Sequence, residues 1–95
     1  MEIRNKVAVI TGGASGLGQA TAETIVANGG KVALLDLNGE LAAQTAAQLG
    51  SDAEAFTVNV SDSQSAKDAV DGVLERFNAI HINVNCAGIG AAGRT

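Results

Sequence analysis

Apolar residues along this chain follow two alternating rhythms. Short, dense runs occur at Val7-Ala8-Val9-Ile10, at Val32-Ala33-Leu34-Leu35, around Phe56, and at Ile80, Ile82 and Val84. Between them lie longer stretches in which apolar residues return every three or four positions. The first rhythm predicts buried strands and the second amphipathic helices. Strands are expected over 6–10, 31–36, 54–58 and 80–85. Helix one is expected over 16–28, with Leu17, Ala20, Thr21, Thr24 and Ile25 on one face. Helix two, over 39–49, puts Leu41, Ala42, Thr45, Ala46 and Leu49 on one face. Helix three follows Ser61, whose hydroxyl forms a capping box with Gln64, and its stripe is Ala66, Ala69, Val70, Val73, Leu74 and Phe77. Gly29-Gly30 and Gly50 stop the first two helices, as glycine does just past a helix end.

Strands and helices therefore alternate as βαβαβαβ, with no linker, repeat or low-complexity tract. The class is α/β: a Rossmann-like parallel sheet in one unit over 1–95, a truncated doubly wound fold. His81, Asn83 and Asn85 alternate with Ile80, Ile82 and Val84, which is unusual for a central parallel strand that should be apolar on both faces. Either Asn83 is internally bonded or one face of that strand meets water.

Composition narrows the choice. Hydrophobic residues make up 46%, with two Phe and neither Tyr nor Trp, so Val, Ile, Leu and Ala must form the core. At 95 residues that core is small. Twelve glycines without a proline suit βα turns, not disorder. The net charge of −4 and the lack of a basic patch argue against nucleic acid or an anionic membrane as partner. One cysteine excludes an internal disulfide and fits a reducing, cytoplasmic setting. No targeting signal or 18-residue apolar run is visible.

The chemistry concentrates where the first strand meets the first helix. Val7–Ile10 runs into Thr11-Gly12-Gly13-Ala14-Ser15-Gly16-Leu17-Gly18 and then an Ala/Thr-rich helix. A helix N-terminus offers unpaired N–H groups and a positive dipole end, which attract phosphate. Glycines at 12, 16 and 18 let the backbone turn and let a pyrophosphate approach. The second strand ends in Asp36, whose carboxylate can accept hydrogen bonds from both hydroxyls of a ribose. The spacing T-G-x-x-x-G-x-G is not the common G-x-G-x-x-G. The literal match, Gly88 to Gly93, has neither helix nor acid after it and carries no weight.

TGGASGLG, Asp36 and Asn85-Cys86-Ala87-Gly88, in that order, resemble the short-chain dehydrogenase/reductase family. Within it, the VAVITGGASGLG wording, Leu34-Leu35-Asp36-Leu37 and the Asn-Cys-Ala-Gly-Ile variant look like its type-2 3-hydroxyacyl-CoA dehydrogenases. The resemblance covers essentially the whole chain but well under half of a family member.

It implies strand order 3-2-1-4 and NAD as cofactor. Gly12, Ser15, Gly16, Leu17 and Gly18 would hold the pyrophosphate, and Asp36 and Leu37 the adenosine ribose. NADP users often carry Arg in the loop or just after the second strand, where Ser15, Leu37 and Asn38 stand here. The two negative charges of a 2′-phosphate would also sit against Asp36. Asn59 stands where the family usually has an Asp bonded to the adenine amine, and its amide oxygen can still accept. Val60 would pack on the adenine ring. Asn85 would brace the strands, with Cys86, Ala87 and Gly88 along the ribose. The family has Asp where His81 stands and Gly where Asn78 stands.

Neither Cys86, which lacks a partner His in a catalytic pattern, nor the lone His81 reads as catalytic. One His, one Cys and scattered carboxylates make no metal set. The family's catalytic Ser and Tyr-x-x-x-Lys fall beyond Thr95, so no catalytic residue is assigned here and the 95 residues alone are expected to show no turnover. Two functions follow. One is the NAD-binding portion of an oxidoreductase that moves hydride between NAD and a hydroxy or keto substrate, an alcohol, ketone or 3-hydroxyacyl-CoA, in a homo-oligomer. The other is a noncatalytic nucleotide-binding module or inactive truncated remnant.

Overall fold

The computed structural model describes residues 3–59 and 61–86. Four parallel strands, β1 (Val7–Thr11), β2 (Lys31–Asp36), β3 (Ala53–Thr57) and β4 (Ile82–Asn85), form one sheet in the order β3-β2-β1-β4. Helices α1 (Gly16–Ala27), α2 (Gly39–Leu49) and α3 (Ser63–Phe77) make the crossovers. The expected class, alternation and strand order hold. The β1 and β3 bounds differ from the expected ones by a residue, and β4 begins two residues later, at Ile82.

Alternating side chains divide the core between the two faces of the sheet. Ala8, Ile10, Val32 and Leu34 meet Ala22 and Ile25 of α1 and Ala42 and Ala46 of α2. Val7, Val9, Ala33 and Leu35 meet Ala69 and Val73 of α3, together with Val58. Alanines supply most of the helix contacts, which brings helix backbones close to the sheet.

The phase of α1 differs from the expected one. Its buried residues are Gly18, Ala22 and Ile25, while Leu17 is 49% exposed. Gly18 sets this phase. A Cβ there would collide with the Gly12 carbonyl oxygen, so the helix can lie against the turn only with Gly18 underneath. Leu17, one residue earlier, is thereby turned outward. Leu41, Val70 and Leu74, placed on buried faces by periodicity, are also exposed, at the flanks of α2 and α3.

The capping box at Ser61 is likewise corrected. Asp62 is the N-cap of α3, accepting from the N–H groups of Gln64 and Ser65. Ser61 sits one residue too early and donates its hydroxyl to Asn59 Oδ1. The Gly29-Gly30 stop holds in detail: Gly30 N donates to Ile25 O and Gly29 N to Val26 O, with Gly29 at φ 88°, a Schellman motif. Asn78 closes α3 in the left-handed region, φ 69°, which accounts for a Gly being the alternative at that position.

Asn83 is exposed, so one face of β4 meets water. His81 does not extend β4. Its Nδ1 accepts from Val7 N at 2.9 Å while its own N–H donates to Val7 O, closing the lower end of the β1–β4 pair. An Asp carboxylate could offer Val7 the same acceptor. No helix among the described residues is long and apolar enough to cross a membrane.

Candidate dinucleotide site

The C-terminal ends of the parallel strands gather Gly12, Asp36, Asn59 and Asn85 along one edge of the sheet. The connections that leave β1 and β3 at this edge turn toward opposite faces, since α1 and α3 lie on opposite sides of the sheet.

The turn after β1 is tightly determined. Gly12 has φ 73° and donates to Leu35 O at 2.7 Å. Gly13 is pressed on β2: a Cβ would fall 2.8 Å from Leu34 Cβ and 2.9 Å from its Cα. Ser15 is the N-cap of α1, with Oγ accepting from Gly18 N at 3.0 Å and donating to Gly12 O at 2.7 Å.

Gly16 is different. A Cβ there would meet nothing within 4 Å, and its backbone is not left-handed. Among the described residues, neither packing nor conformation requires glycine at 16. The N–H groups of Gly16 and Leu17 have no acceptor among the described residues. Two donors at a helix start, beside open space kept free of a side chain, form a cradle for an anion that comes to the backbone.

Asp36 stands next to it. Its Oδ2 accepts from Ala14 N at 2.9 Å and its Oδ1 from Asn38 N at 2.9 Å. A carboxylate offers about four lone-pair sites, so two remain for hydroxyl donors. The Ala14 bond ties the glycine turn to the end of β2. Leu37, 70% exposed, and Leu17 flank this carboxylate and cradle with apolar surface.

Asn59 is exposed just past β3. Its Oδ1 accepts from Ser61 N at 3.1 Å and from the Ser61 hydroxyl at 2.6 Å. At the end of β4, Thr11 Oγ1 donates to Asn85 Oδ1 at 3.1 Å, bridging β1 and β4 as the resemblance implied. Cys86 is buried in the α1/α2 core, so its thiol faces packing. Val60, Ala87 and Gly88 lie outside the described residues. So does the Gly88–Gly93 repeat.

The structure thus brings Gly12, Ser15, Gly16, Leu17 and Gly18 together with Asp36 and Leu37, and sets Asn59 and Asn85 at either side. Sequence reasoning missed Thr11, Gly13, Ala14 and Asn38. Asn38 left a signal, an N-cap residue ahead of a helix, and its Oδ1 accepts from Leu41 N. Ala14 left none, because it acts through its backbone. No group of three or more His, Cys, Asp or Glu side chains among the described residues could hold a metal ion. A separate shallow cleft lined by Phe56, Thr57, Ser65 and Asp68 lies between β3 and α3, away from the glycine turn.

A parallel sheet with an open glycine turn after its first strand and a carboxylate after its second has the arrangement of a Rossmann-type unit. A family model described as short chain dehydrogenase matches residues 6–95, and the chain belongs to that family. It is 45% identical over 87 residues to D-threitol dehydrogenase of Mycolicibacterium smegmatis, covering 88% of this chain and 34% of that one. It is 39% identical over 93 residues to human (Homo sapiens) 3-hydroxyacyl-CoA dehydrogenase type-2, covering 98% of this chain and 36% of the relative. Among solved structures it matches a 3-ketoacyl-(acyl-carrier-protein) reductase from Brucella melitensis complexed with NADH, with TM-score 0.84 and 31% identity over 85% of this chain and 34% of that one. A short chain dehydrogenase/reductase from Burkholderia phymatum in complex with NAD matches with TM-score 0.83 and 34% identity, over 87% of this chain and 31% of that one. The chain spans about a third of the length of the curated relatives it matches.

Proposed function

We propose that this chain is the NAD-binding portion of a short-chain oxidoreductase. The observation that carries the reading is Gly16: a glycine that no packing among the described residues requires, beside two N–H groups without an acceptor there and near the Asp36 loop. The residues present fit NAD. Gly16 and Leu17 would donate to the pyrophosphate, and Gly18 and Gly13 let α1 and the turn pack closely enough to do so. Asp36, steadied by Ala14 and Asn38, would accept from the ribose hydroxyls. Asn59 and Val60 would border the base, and Asn85, Ala87, Gly88 and the backbone of Cys86 the ribose on the β4 side. Structural neighbours complexed with NADH and NAD support the same choice.

NAD, when bound, supplies the hydride acceptor, and its reduced form the donor. The substrate of the whole protein is a small alcohol, ketone or hydroxy/keto acyl compound. We favour a 3-hydroxyacyl-CoA on the strength of the type-2 relatives, and the threitol dehydrogenase at higher identity makes a polyol the competing substrate class. The whole protein is proposed to be a cytoplasmic homo-oligomer. Calorimetric titration of the chain with NAD and NADP tests the cofactor reading. NAD is expected to bind more tightly, and equal affinity would overturn it.

A further inference from the structure

The amide of Asn59 is oriented without ambiguity. A backbone N–H can only donate, so the atom that Ser61 N meets at 3.1 Å must be the oxygen. The Ser61 hydroxyl donates to that same oxygen at 2.6 Å. An amide oxygen has two lone pairs, and both are engaged. What Asn59 offers beyond its own turn is the Nδ2 group, two donors with no acceptor among the described residues.

The strand order says what this group faces. Across the sheet edge, the glycine turn follows β1, Asp36 ends β2 and Asn59 lies just past β3, and these are successive neighbours. Adjacent strands are spaced about 4.8 Å apart. A nucleotide with its phosphates at Gly16 and its ribose at Asp36 therefore carries its base onward, toward the end of β3. Val58 N donates to Asp36 O at 2.9 Å, which holds the residue before Asn59 against the end of β2.

Resting on the NAD reading above, we infer that the base subsite does not select the 6-amino group of adenine, because residue 59 meets it with donors alone. The amino group is itself a donor, and two N–H groups do not bond. An Asp at 59 would differ in one respect. Its second oxygen would stay free to accept from the amine after the first had taken the Ser61 bonds.

The test compares NAD with its purine analogue, in which hydrogen replaces the 6-amino group and the ring nitrogens remain acceptors. Dissociation constants are measured by titration calorimetry on the chain and on Asn59→Asp, a variant of equal size. The unmutated chain is expected to bind both within about twofold, and Asn59→Asp to favour NAD by about threefold to tenfold, the worth of one net hydrogen bond. A fivefold or larger preference for NAD in the unmutated chain overturns the inference, whichever group supplies it. Asn59→Asp that gains no selectivity overturns it as well. Failure of both dinucleotides to bind overturns the cofactor reading and this inference with it, whereas binding of NAD alone overturns only the inference.

Discussion

The Ala14 amide donates to Asp36 Oδ2 at 2.9 Å, joining the glycine turn after β1 to the end of β2. One side chain thus shapes the glycine turn and presents the carboxylate proposed to meet a ribose. Asp36→Ala is expected to do two things. It removes repulsion of a 2′-phosphate, so a preference for NAD of at least about tenfold should fall to near parity. It also frees the Ala14 and Asn38 N–H groups, so affinity for NAD itself should drop. Titration with both dinucleotides separates the effects: a lost preference with unchanged NAD affinity would show that the Ala14 bond is idle.

Gly16 and Gly18 make opposite predictions. Gly16→Ala adds a methyl to open space at the first turn of α1, where alanine is the better helix former by about 1 kcal/mol or less. Thermal stability should hold or rise while NAD affinity falls at least about tenfold, since the methyl occupies the proposed anion cradle. Gly18→Ala should instead destabilise the fold by roughly 1–3 kcal/mol, because its Cβ meets the Gly12 carbonyl. Urea unfolding followed by circular dichroism checks stability, and calorimetry checks binding. Equal NAD affinity in Gly16→Ala would remove the argument for a cradle.

The contrast between these glycines marks how far sequence carries. Strand runs such as Val7–Ile10 and the stops at Gly29-Gly30 were legible because they depend on neighbours in the chain. The α1 face was not, because Gly18 sets it through contact with Gly12 across the turn, and periodicity favoured the larger Leu17. Asp36, Gly16 and Gly18 could be read from motif and residue type. Ala14 and Gly13 could not, since one contributes only a backbone N–H and the other only the absence of a Cβ against Leu34. At the start of α3, two cap-forming residues stand side by side. Ser61 has the spacing from Gln64 that a capping box needs, yet Asp62 caps and Ser61 turns back to Asn59.

Asn78 sits at φ 69° and ψ 2° past the end of α3. Glycine reaches that region without a Cβ penalty. Asn78→Gly is expected to raise unfolding free energy by about 0.5–1 kcal/mol, measured as a shift in urea midpoint at unchanged slope. A loss of stability would show that the Asn side chain contributes more than its backbone costs.

Among the described residues β4 pairs with β1 alone, and Val70 and Leu74 lie exposed one turn apart on α3, on the sheet face that carries Asn83. An unpaired strand edge beside apolar surface recruits other chains. The 95-residue polypeptide is expected to self-associate at micromolar concentration in sedimentation velocity. Leu74→Glu should shift it toward monomer. A monomeric, cooperatively unfolding chain would speak for a self-sufficient nucleotide-binding module.

The strand order also sets a schedule for assembly. β1 pairs with β2, and β2 with β3, through partners about two dozen residues apart, whereas His81 must find Val7 across 74 residues. Closing the longer loop costs on the order of 1 kcal/mol more in chain entropy, and that cost falls due before its contacts form. The β1–β2–β3 layer with α1 and α2 is therefore expected to gather first and β4 to dock last. The Thr11–Asn85 bond between β1 and β4 is made only at that final step, so a nascent chain completes its glycine turn before the strand beside it arrives.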